Sequence, residues 1–304
     1  MTGVPAAATV AAVITAFDPG ESLLTVAASV VGQVGAVVVV DDGSTATGTG
    51  QVLESCERLG CTVVRRGVNG GVAAALNSGV TQALSASPAP SDILTLDQDS
   101  VVPEGYVEAA VAARAAAERH GIRVAMVAPE RVAGLPGRLR GSRDGVLLGG
   151  EPVQSGLLVP TAVLRSVGLF DESLFIDGVD TEFYLRCLDA GLVVVLVPGT
   201  TLSHRLGSRH PVRFLGRPVV LRGSAVELTH ARAFRYYFIA RNRIALVRAH
   251  GRRHPGWAAG QLLGVTRHLL LVTVLVPGRA ERARAVRRGI RDGLRGVGGP
   301  APPR

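Results

Sequence analysis

The 304-residue chain contains no lysine and only three cysteines, Cys56, Cys61 and Cys187. A small and odd number of cysteines excludes the disulfide framework of small secreted domains and is typical of a reducing compartment. Cys56 and Cys61 have no histidine or cysteine partners at the spacing that zinc sites use, so a zinc site is not expected. Hydrophobic residues make up 47% of the chain, which is enough for a sizeable core and predicts a folded globular protein.

Sequence signatures of three other protein classes are also missing. No basic residue precedes the first apolar run, Val10–Ile14, and Asp18-Pro19-Gly20 ends that run early. We therefore expect a buried first strand there and no signal peptide. The chain has no G-x-x-x-x-G-K-[ST] motif, and no G-x-G-x-x-G opens a helix after the first strand. Walker-type nucleotide hydrolases and Rossmann dinucleotide enzymes are accordingly disfavoured.

The charged residues are distributed unevenly along the chain. Residues 1–204 contain 12 arginines and 21 acidic residues, whereas residues 205–304 contain 21 arginines and three acidic residues. A basic C-terminal region of this size predicts an anionic partner, either a nucleic acid or a membrane surface. A nucleic-acid-binding protein would be expected to show interleaved aromatic residues and a recognisable binding module, and neither is evident.

The stretch Trp257–Val276 is apolar but is interrupted by Gln261, Arg267 and His268. An arginine near the centre of a membrane span costs ~2.5–3.5 kcal/mol on insertion scales. Because arginines also flank the stretch on both sides, we expect an interfacial helix that contacts an anionic membrane surface rather than a span. A helix packed in the protein, with a solvated basic face beside it, is the alternative.

Short apolar runs alternate with stretches of helical character in the first part of the chain. The predicted strands are Val10–Thr15, Ala36–Val40, Thr62–Arg65, Ile93–Leu96 and Val124–Ala128, and the predicted helices between them are Glu21–Val31, Gly48–Leu59, Val72–Leu84 and Pro103–His120. This alternation predicts an α/β fold with a mostly parallel central sheet and flanking helices. We expect a first domain over residues 1–226, a mobile surface loop over Gly134–Gly150 within it, and a basic helical region over residues 227–304.

Aspartates follow two of the predicted buried strands. Asp41 and Asp42 follow the second strand, and Asp97-Gln98-Asp99-Ser100 follows the strand Ile93–Leu96. In open α/β sheets, ligands bind at the carboxyl ends of the strands. Two carboxylates there suit a hard divalent cation that keeps open positions for substrate phosphates. The same residue types are also ordinary turn formers, so an acidic turn without a ligand is the alternative.

Three further polar groups are candidates for the same edge of the sheet. Asn69-Gly70-Gly71 precedes a helix made of small residues, where a backbone or a phosphate can approach closely. Asp180 stands among three acids within six residues and is either a general base or the cap of the helix that follows it. His204 ends a strand-like segment, where it is either structural or a ligand.

These motifs occur in a specific order: strand-Asp41-Asp42-Gly43-Ser44, Asn69-x-Gly71, Asp97-x-Asp99, Phe170-Asp171-Glu172, Gly178-Val179-Asp180-Thr181-Glu182 and His204. The ordered set resembles inverting family 2 glycosyltransferases with the A-type nucleotide-diphospho-sugar transferase fold. More narrowly, the chain is similar to bacterial rhamnosyltransferases at Leu96–Ser100, Phe175-Ile176-Asp177, Asp180-Thr181-Glu182, and Arg235-Tyr236-Tyr237 with Arg241-Asn242-Arg243. The resemblance spans about Val10 to about Gly296.

The resemblance implies a role for each donor-side residue. Asp42 would contact the nucleotide base, Asp97 would lie by the ribose and the metal, and Asp99 would bind the Mg²⁺ or Mn²⁺ that bridges the diphosphate. His204 matches a position that completes the metal site in some relatives. Asn69 and Gly71 belong to the expected donor site on the same grounds.

Two further roles concern the acceptor and the anionic groups. Asp180 matches the catalytic base that deprotonates the acceptor hydroxyl. Arg241 is assigned to the donor site, where it would pair with the diphosphate, although an anionic acceptor is an equal alternative for it. Two departures from the family pattern are Val179, where many members have Glu, and Asp18, where Asn is common.

The sequence therefore predicts metal-assisted transfer of a sugar with inversion, most specifically L-rhamnose from dTDP-rhamnose. The expected acceptor is a cell-envelope glycan or a polyprenyl-linked glycan, and the expected location is cytoplasmic, peripheral at the inner face of the cell membrane. Galactofuranose or a hexose on the same fold is the alternative within this class of enzyme. A basic nucleic-acid-binding protein is the alternative outside it, although a sheet edge lined with aspartates would repel a phosphate backbone.

Overall fold

The computed structural model describes residues 9–204, 208–211, 213–214, 217–218, 220–221, 224–225 and 227–302. The chain divides into two compact units. The first unit consists of Met1–Glu172 with Val179–Arg205, and the second consists of Ser173–Gly178 with Leu206–Arg304. The functional division at residues 226 and 227 stays a prediction.

The first unit contains the alternating strands and helices that the apolar runs predict. Its elements are β1 (Val10–Ala16), α1 (Ser22–Val31), β2 (Ala36–Asp41), α2 (Thr49–Arg58), β3 (Thr62–Arg65), α3 (Val72–Leu84), β4 (Asp92–Asp97), β5 (Ser100–Val101), α4 (Tyr106–Arg119), β6 (Val124–Val132), β7 (Leu135–Pro136), β8 (Leu139–Arg143), β9 (Val146–Gly149), β10 (Leu157–Pro160), α5 (Thr161–Val167), α6 (Val179–Asp189) and β11 (Val193–His204). The prediction of a mostly parallel sheet with flanking helices is confirmed.

The central sheet has the strand order β3-β2-β1-β4-β10-β6-β11-β9-β8. Strands β3, β2, β1 and β4 run parallel, and β11 runs parallel to β6, whereas β10 lies antiparallel between β4 and β6. Every residue of β1 from Val10 to Ala16 is buried. Burial on both faces explains why these strands are uninterrupted apolar runs rather than alternating ones.

Helix α3 packs closely against the first two strands because it carries a glycine where they face it. A Cβ atom at Gly79 would come within 2.3 Å of Val13 Cγ1 and within 2.9 Å of Val40 Cγ2. The buried residues around it are mostly alanines. The small residues of α3 therefore bring its N-terminus, which follows Gly71, to the carboxyl end of β2.

The prediction of a mobile loop over Gly134–Gly150 is wrong. Most of this segment forms strands, with β8 antiparallel to β9 and β9 antiparallel to β11 at the edge of the sheet. The turn between β8 and β9 consists of Asp144 and Gly145, with φ values of 50° and 78°. Positive φ at both positions is the type I′ geometry that joins two-residue hairpins and that Asp-Gly favours.

The second unit contains the three long helices α7 (Arg235–His250), α8 (Pro255–Leu275) and α9 (Arg279–Arg295). Short strands precede them: β12 (Ser208–Pro211), β13 (Arg213–Phe214), β14 (Arg217–Pro218), β15 (Val220–Leu221), β16 (Ser224–Ala225) and β17 (Glu227–His230). The basic helical C-terminal region is confirmed, although the helices begin at Arg235 and residues Glu227–His230 pair with β12 instead.

Helices α7 and α9 approach each other at two glycines of α9. A Cβ atom at Gly289 would lie 2.3 Å from the carbonyl oxygen of Tyr237, and one at Gly293 would lie 2.9 Å from that of Arg241. Because the two glycines are four residues apart, they lie on the same face of α9. The two backbones can therefore pack at a distance that side chains would prevent.

Helix α8 is long and apolar enough to cross a membrane by length and composition, with a mean hydropathy of 1.4 in its most apolar window. Only 11% of that window is buried within the protein. The expected membrane-surface contact of this helix stays a prediction.

Candidate active site

The carboxyl ends of three neighbouring strands bring the first two aspartate motifs together. In the register of the sheet, Ala16 of β1 pairs with Asp41 of β2, and Thr15 of β1 pairs with Asp97 of β4. Adjacent strands lie about 4.8 Å apart, so the two aspartates flank the end of β1 at roughly 10 Å from each other. The structure thus places both motifs at one sheet edge, as the strand pattern predicts.

The carboxylate of Asp42 is buried and fixes the loop that precedes α3. One oxygen accepts hydrogen bonds from the backbone N–H of Gly70 (3.0 Å) and from Arg66 Nη1 (2.7 Å), and the other accepts one from the N–H of Gly71 (2.7 Å). Burial raises the pKa of Asp42, and the two amide hydrogen bonds and Arg66 oppose this shift. The expected contact of Asp42 with a nucleotide base stays a prediction.

The loops that follow β2 and β3 pack backbone against backbone. Gly43 has a φ of 73°, and a Cβ atom there would lie 2.5 Å from the carbonyl carbon of Val68 and 2.7 Å from the nitrogen of Asn69. The side-chain oxygen of Asn69 accepts a hydrogen bond from the N–H of Gly71 at 3.0 Å. Asn69 and Gly71 therefore lie beside Asp42, and only glycine fits at position 43 between the loops.

Asp18 joins the loop after β1 to the loop after β2. Its Oδ1 atom accepts hydrogen bonds from the N–H groups of Thr45 and Ala46, both at 2.9 Å, and its own N–H donates to Ser44 Oγ at 2.7 Å. The φ of Asp18 is 45°, in the left-handed region that Asp and Asn tolerate best among residues with a side chain. The sequence leaves the role of Asp18 open, and the structure shows that it orders this edge of the site.

Gln98 joins the same β1 loop to the aspartate motif after β4. Its Oε1 atom accepts a hydrogen bond from the N–H of Phe17 (2.8 Å), and its Nε2 atom donates to the carbonyl of Phe17 (3.3 Å). The motifs after β1, β2 and β4 therefore form one hydrogen-bonded network through Asp18 and Gln98. Sequence reasoning missed both contacts, since neither residue type predicts a partner so far away in the chain.

The turn that contains Asp97 and Asp99 is supported by the segment before β10. The N–H of Asp97 donates to Ser155 Oγ at 3.0 Å, and the hydroxyl of Thr95 donates to the carbonyl of Gln154 at 2.7 Å. The residues after Asp99 form β5, which pairs with the end of β11. Ser100 lies opposite His204 in that register.

The donor set of this turn suits the expected cation. Carboxylate oxygens of Asp97 and Asp99 are the ligands that Mg²⁺ and Mn²⁺ prefer, and imidazole is also acceptable to Mn²⁺. The side chain of His204 lies outside the described part of the structure. Among the described residues, no group of three or more His, Cys, Asp or Glu side chains is placed to hold a metal ion. The metal site therefore stays a prediction.

Asp180 lies half-buried in the first turn of α6. Its Oδ1 atom accepts a hydrogen bond from the N–H of Thr181 at 2.8 Å, and the hydroxyl of the buried Thr181 donates to Oε1 of Glu151. An acidic side chain in a first turn is stabilised by the positive end of the helix dipole. This placement favours the negative charge that a general base carries.

Two polar clamps hold the segment between α5 and α6. Asn77 on α3 accepts the N–H of Phe170 (3.0 Å) and donates both to the carbonyl of Phe170 (2.9 Å) and to Oε1 of Glu172 (2.8 Å). Arg186 on α6 donates to the carbonyl oxygens of Val167 and Leu169, both at 2.7 Å. The Phe170-Asp171-Glu172 motif thus has a structural role in holding α6 against α3.

Arg241 lies in the second unit, whereas Asp42, Asp97 and Asp99 lie in the first. It is 1% exposed. Its guanidinium donates to the carbonyl oxygens of Ser173 (3.0 Å) and Leu174 (2.9 Å), and Nε donates to Asn242 Oδ1 (2.8 Å). These contacts account for its burial. The assignment of Arg241 to the donor site stays a prediction.

Some of the motifs that carry the rhamnosyltransferase resemblance, Phe175-Ile176-Asp177 and those of α7, contact one another within the second unit. Arg235 forms an ion pair with Asp177, with a distance of 3.1 Å between Nε and Oδ2. Asn242 donates to the carbonyl oxygens of Leu174 (2.8 Å) and Ile176 (2.7 Å). The segment before α6 is therefore held by α7 through these contacts.

Comparisons with known proteins find similarity to glycosyltransferases. Residues 11–141 match the family described as "Glycosyl transferase family 2". The chain is 30% identical over 150 residues to the dTDP-rhamnosyl transferase RfbF of Shigella flexneri. That alignment covers 48% of this chain and 46% of the relative, so the chain matches less than half of the relative's length.

Solved structures show the same fold. S. aureus TarS 1-349 in complex with UDP-GlcNAc has a TM-score of 0.59 at 14% identity, covering 95% of this chain and 81% of that one. A second structure of S. aureus TarS has a TM-score of 0.51 at 14% identity, covering 93% of this chain and 55% of that one. Residues 11–141 are therefore similar to family 2 glycosyltransferases, and the chain has the A-type nucleotide-sugar transferase fold of these solved structures.

Proposed function

We propose that the protein is an inverting glycosyltransferase that moves L-rhamnose from dTDP-rhamnose to a hydroxyl group of a cell-envelope acceptor. The observation that carries the proposal is the network at the carboxyl ends of β1, β2 and β4, which holds the Asp97–Asp99 turn through Gln98 and Ser155. The choice of rhamnose rests on the 30% identity to a dTDP-rhamnosyl transferase. Galactofuranose or a hexose would use the same fold and is the competing donor.

The leaving group sets the demands on the donor side of the site. As the bond between the anomeric carbon and the diphosphate oxygen breaks, its electron pair stays on the oxygen and negative charge develops there. Asp97 and Asp99 would hold a Mg²⁺ or Mn²⁺ ion, with His204 as a further ligand, and a bound cation stabilises such charge. Asn69 and Gly71 would approach the donor at the N-terminus of α3, and Asp42 would face the nucleotide base.

The acceptor side requires a base. Asp180, when ionised, would accept the proton of the acceptor hydroxyl as the hydroxyl oxygen bonds to the anomeric carbon on the face opposite the leaving group. This single displacement inverts the configuration. Thr181 donates its backbone N–H to Asp180 and thereby orients the carboxylate.

A panel of nucleotide sugars tests the proposed donor. Thermal unfolding would be followed with dTDP-rhamnose and with the UDP forms of galactofuranose, glucose and N-acetylglucosamine, each with Mg²⁺ or Mn²⁺. A ligand that binds only the folded state at 100 times its dissociation constant adds about 2.7 kcal/mol to the free energy of unfolding. We expect dTDP-rhamnose to stabilise the protein most, and to release dTDP when an acceptor or water reacts.

Two matched variants test whether the stabilisation by the donor depends on the proposed metal site. Asp99→Asn should lose the part of the stabilisation that depends on the cation, whereas Asp144→Asn, in the exposed β8–β9 turn, should keep it. If no nucleotide sugar stabilises the parent protein with either cation, the proposed function is wrong. If a UDP-sugar stabilises the protein more than dTDP-rhamnose does, that UDP-sugar is the donor instead.

We also propose that the acceptor is reached at the cytoplasmic face of an anionic membrane. Leu263, Leu270 and Val274 of α8 are 74%, 62% and 65% exposed, and their spacing puts them on one face of the helix. Arg267 lies within that face, which suits a helix lying in the interface better than one that spans the bilayer. Exposed arginines of α9, at positions 284, 287, 291 and 295, supply the positive charge that attracts anionic lipid headgroups.

A further inference from the structure

We infer that Arg138 and Arg140 form a subsite for a phosphate group carried by the acceptor, beside the proposed base Asp180. The inference rests on the proposed function, because it assigns the chemistry of the molecule that the base would deprotonate. Neither arginine belongs to the motifs that carry the family resemblance, and both lie in the segment that sequence reasoning describes as a loop.

The contacts of the two arginines place them against the first turns of α6. Arg138 Nη1 lies 3.3 Å from Oε2 of Glu151, and Glu151 in turn accepts the hydroxyl of Thr181. Arg140 Nη1 donates to the hydroxyl of Tyr184 at 3.1 Å. Arg140 therefore contacts α6 directly, and Arg138 reaches it through Glu151 and Thr181.

Tyr184 and Asp180 stand four residues apart in α6. Residues with this spacing are neighbours on one face of a helix, one turn from each other. Thr181, the partner of Glu151, follows Asp180 directly. The two arginines are therefore held on the side of α6 that carries the proposed base, where an acceptor hydroxyl must arrive.

Both arginines have donors left for a ligand. A guanidinium group offers five N–H donors. Among the described residues, the guanidinium groups of Arg138 and Arg140 each make one hydrogen bond, and the side chain of Arg138 is 69% exposed. Two planar forks that are already oriented by side-chain partners suit the oxygens of a phosphate, since Arg binds phosphate through pairs of parallel hydrogen bonds.

The electrostatics of the cluster agree with an anionic ligand. Burial raises the pKa of Tyr184, and the positive charge of Arg140 opposes this shift. The Tyr184 hydroxyl therefore stays protonated and neutral at physiological pH. It carries no negative charge that would neutralise Arg140. Glu151, with a side chain 13% exposed, is the acidic partner of Arg138, and a single contact with it leaves the largely exposed guanidinium with further N–H donors.

The donor diphosphate is a less suitable ligand for this pair. The donor motifs follow β1, β2 and β4, whereas strands β10, β6, β11 and β9 lie between β4 and β8 in the sheet order. The two arginines accompany the edge strand β8 at the far end of that order. We therefore assign them to the acceptor, and the shared chemistry is a phosphate or diphosphate group next to the sugar that is modified.

Phosphate binding to the full chain, with the donor site filled by dTDP and Mg²⁺, tests the subsite. Inorganic phosphate is titrated at constant ionic strength while thermal unfolding is followed. We expect phosphate to stabilise the parent, and the double variant Arg138→Gln, Arg140→Gln to bind it at least about tenfold more weakly, as expected for the loss of charge-assisted hydrogen bonds. Arg143→Gln is the matched control on the same strand, with a side chain 59% exposed, and should respond like the parent.

Each other outcome overturns the inference. Equal phosphate affinity in the double variant and the control would mean that the arginines only hold β8 against α6. Tyr184→Phe removes the contact with Arg140 but keeps both positive charges. If the arginines bind phosphate, this variant should retain phosphate binding. A loss of dTDP affinity in the double variant would assign the pair to the donor instead. Failure of dTDP to stabilise the parent counts against the proposed function, whereas intact dTDP binding without a phosphate effect removes the subsite alone.

Discussion

Gln98 holds the backbone of Phe17 by both polar atoms of its amide, with Oε1 accepting the N–H at 2.8 Å and Nε2 donating to the carbonyl at 3.3 Å. The contact joins the loop after β1 to the proposed metal-binding turn. Gln98→Ala removes both hydrogen bonds, and we expect a loss of about 1 kcal/mol in the free energy of unfolding and a three- to tenfold weaker affinity for dTDP, on the order of one hydrogen bond.

Titration of dTDP with Mg²⁺ against this variant measures the effect. Gln82→Ala, at an exposed position of α3, is the matched control and should change neither quantity. An unchanged dTDP affinity in Gln98→Ala would show that the contact stabilises the fold without shaping the donor site.

Gly43 is expected to be the most sensitive glycine of the donor side. Gly43→Ala combines a positive φ of 73° with a Cβ atom 2.5 Å from the backbone of Val68. Gly48→Ala shares the positive φ, at 89°, but its Cβ would meet no described atom within 4 Å. Urea unfolding should show a loss of about 1–2 kcal/mol for Gly48→Ala from backbone strain. Gly43→Ala should lose about 1–3 kcal/mol more, because the two loops must separate; equal losses would contradict the close packing of the loops.

The sequence predicts the central strands well because burial leaves a strong local signal. β1, β2 and β4 are continuous apolar runs, and the structure places them within a residue or two of the predicted bounds. The strand β8 gives no such signal, since every residue of Leu139–Arg143 is exposed. Only its turn, Asp144-Gly145, carried a local indication of the hairpin.

The site is predictable from sequence as a set of residues but not as a network. The aspartates lie at the strand ends because parallel strands share an edge, which is a local rule. The contact of Gln98 with Phe17 joins residues 81 positions apart and depends on the register of β1 and β4. Arg241 is a second contact that the sequence does not predict. A charged residue in a motif suggests a bound ligand, whereas the backbone carbonyl oxygens that surround Arg241 come from a distant segment of the chain.

Asp292 should make the second unit sensitive to acid. Its carboxylate accepts hydrogen bonds from Arg291 (2.8 Å) and the hydroxyl of Tyr237 (3.1 Å), and the bond from Arg291 lowers its pKa below 3.8. The folded state then binds fewer protons than the unfolded state between the two pKa values. The stabilisation is therefore present above pH 3.8 and is lost as the pH falls through the folded-state pKa.

Urea unfolding at about pH 5 and about pH 3 measures this loss. Asp292→Asn should be less stable than the parent at the higher pH and should lose less on acidification, whereas Asp189→Asn, at an exposed position, should behave like the parent. An equal acid sensitivity of Asp292→Asn and the parent would show that other carboxylates govern it.

The exposed face of α8 should bind anionic vesicles. We expect the double variant Leu263→Gln, Leu270→Gln to bind phosphatidylglycerol vesicles at least tenfold more weakly in a flotation assay, since burying a leucine side chain stabilises by about 1.5–3 kcal/mol. Leu59→Gln, at a residue 40% exposed in the first unit, is the control and should float like the parent. Equal flotation of all three proteins, or equal binding to neutral vesicles, would contradict the proposed surface.

Asp180→Asn should separate binding from chemistry. Asn keeps an oxygen that can accept the N–H of Thr181, so the first turn of α6 should stay folded. It cannot accept a proton at neutral pH, and the loss of a general base lowers the rate by about 10²–10⁴-fold. Sugar transfer should fall by this factor while dTDP affinity stays at the parent level, and Asp189→Asn, at the exposed end of the same helix, should keep full transfer. Near-parental transfer by Asp180→Asn would show that another residue is the base. Glu151, which is linked to the same turn through Thr181, would then be the next residue to substitute.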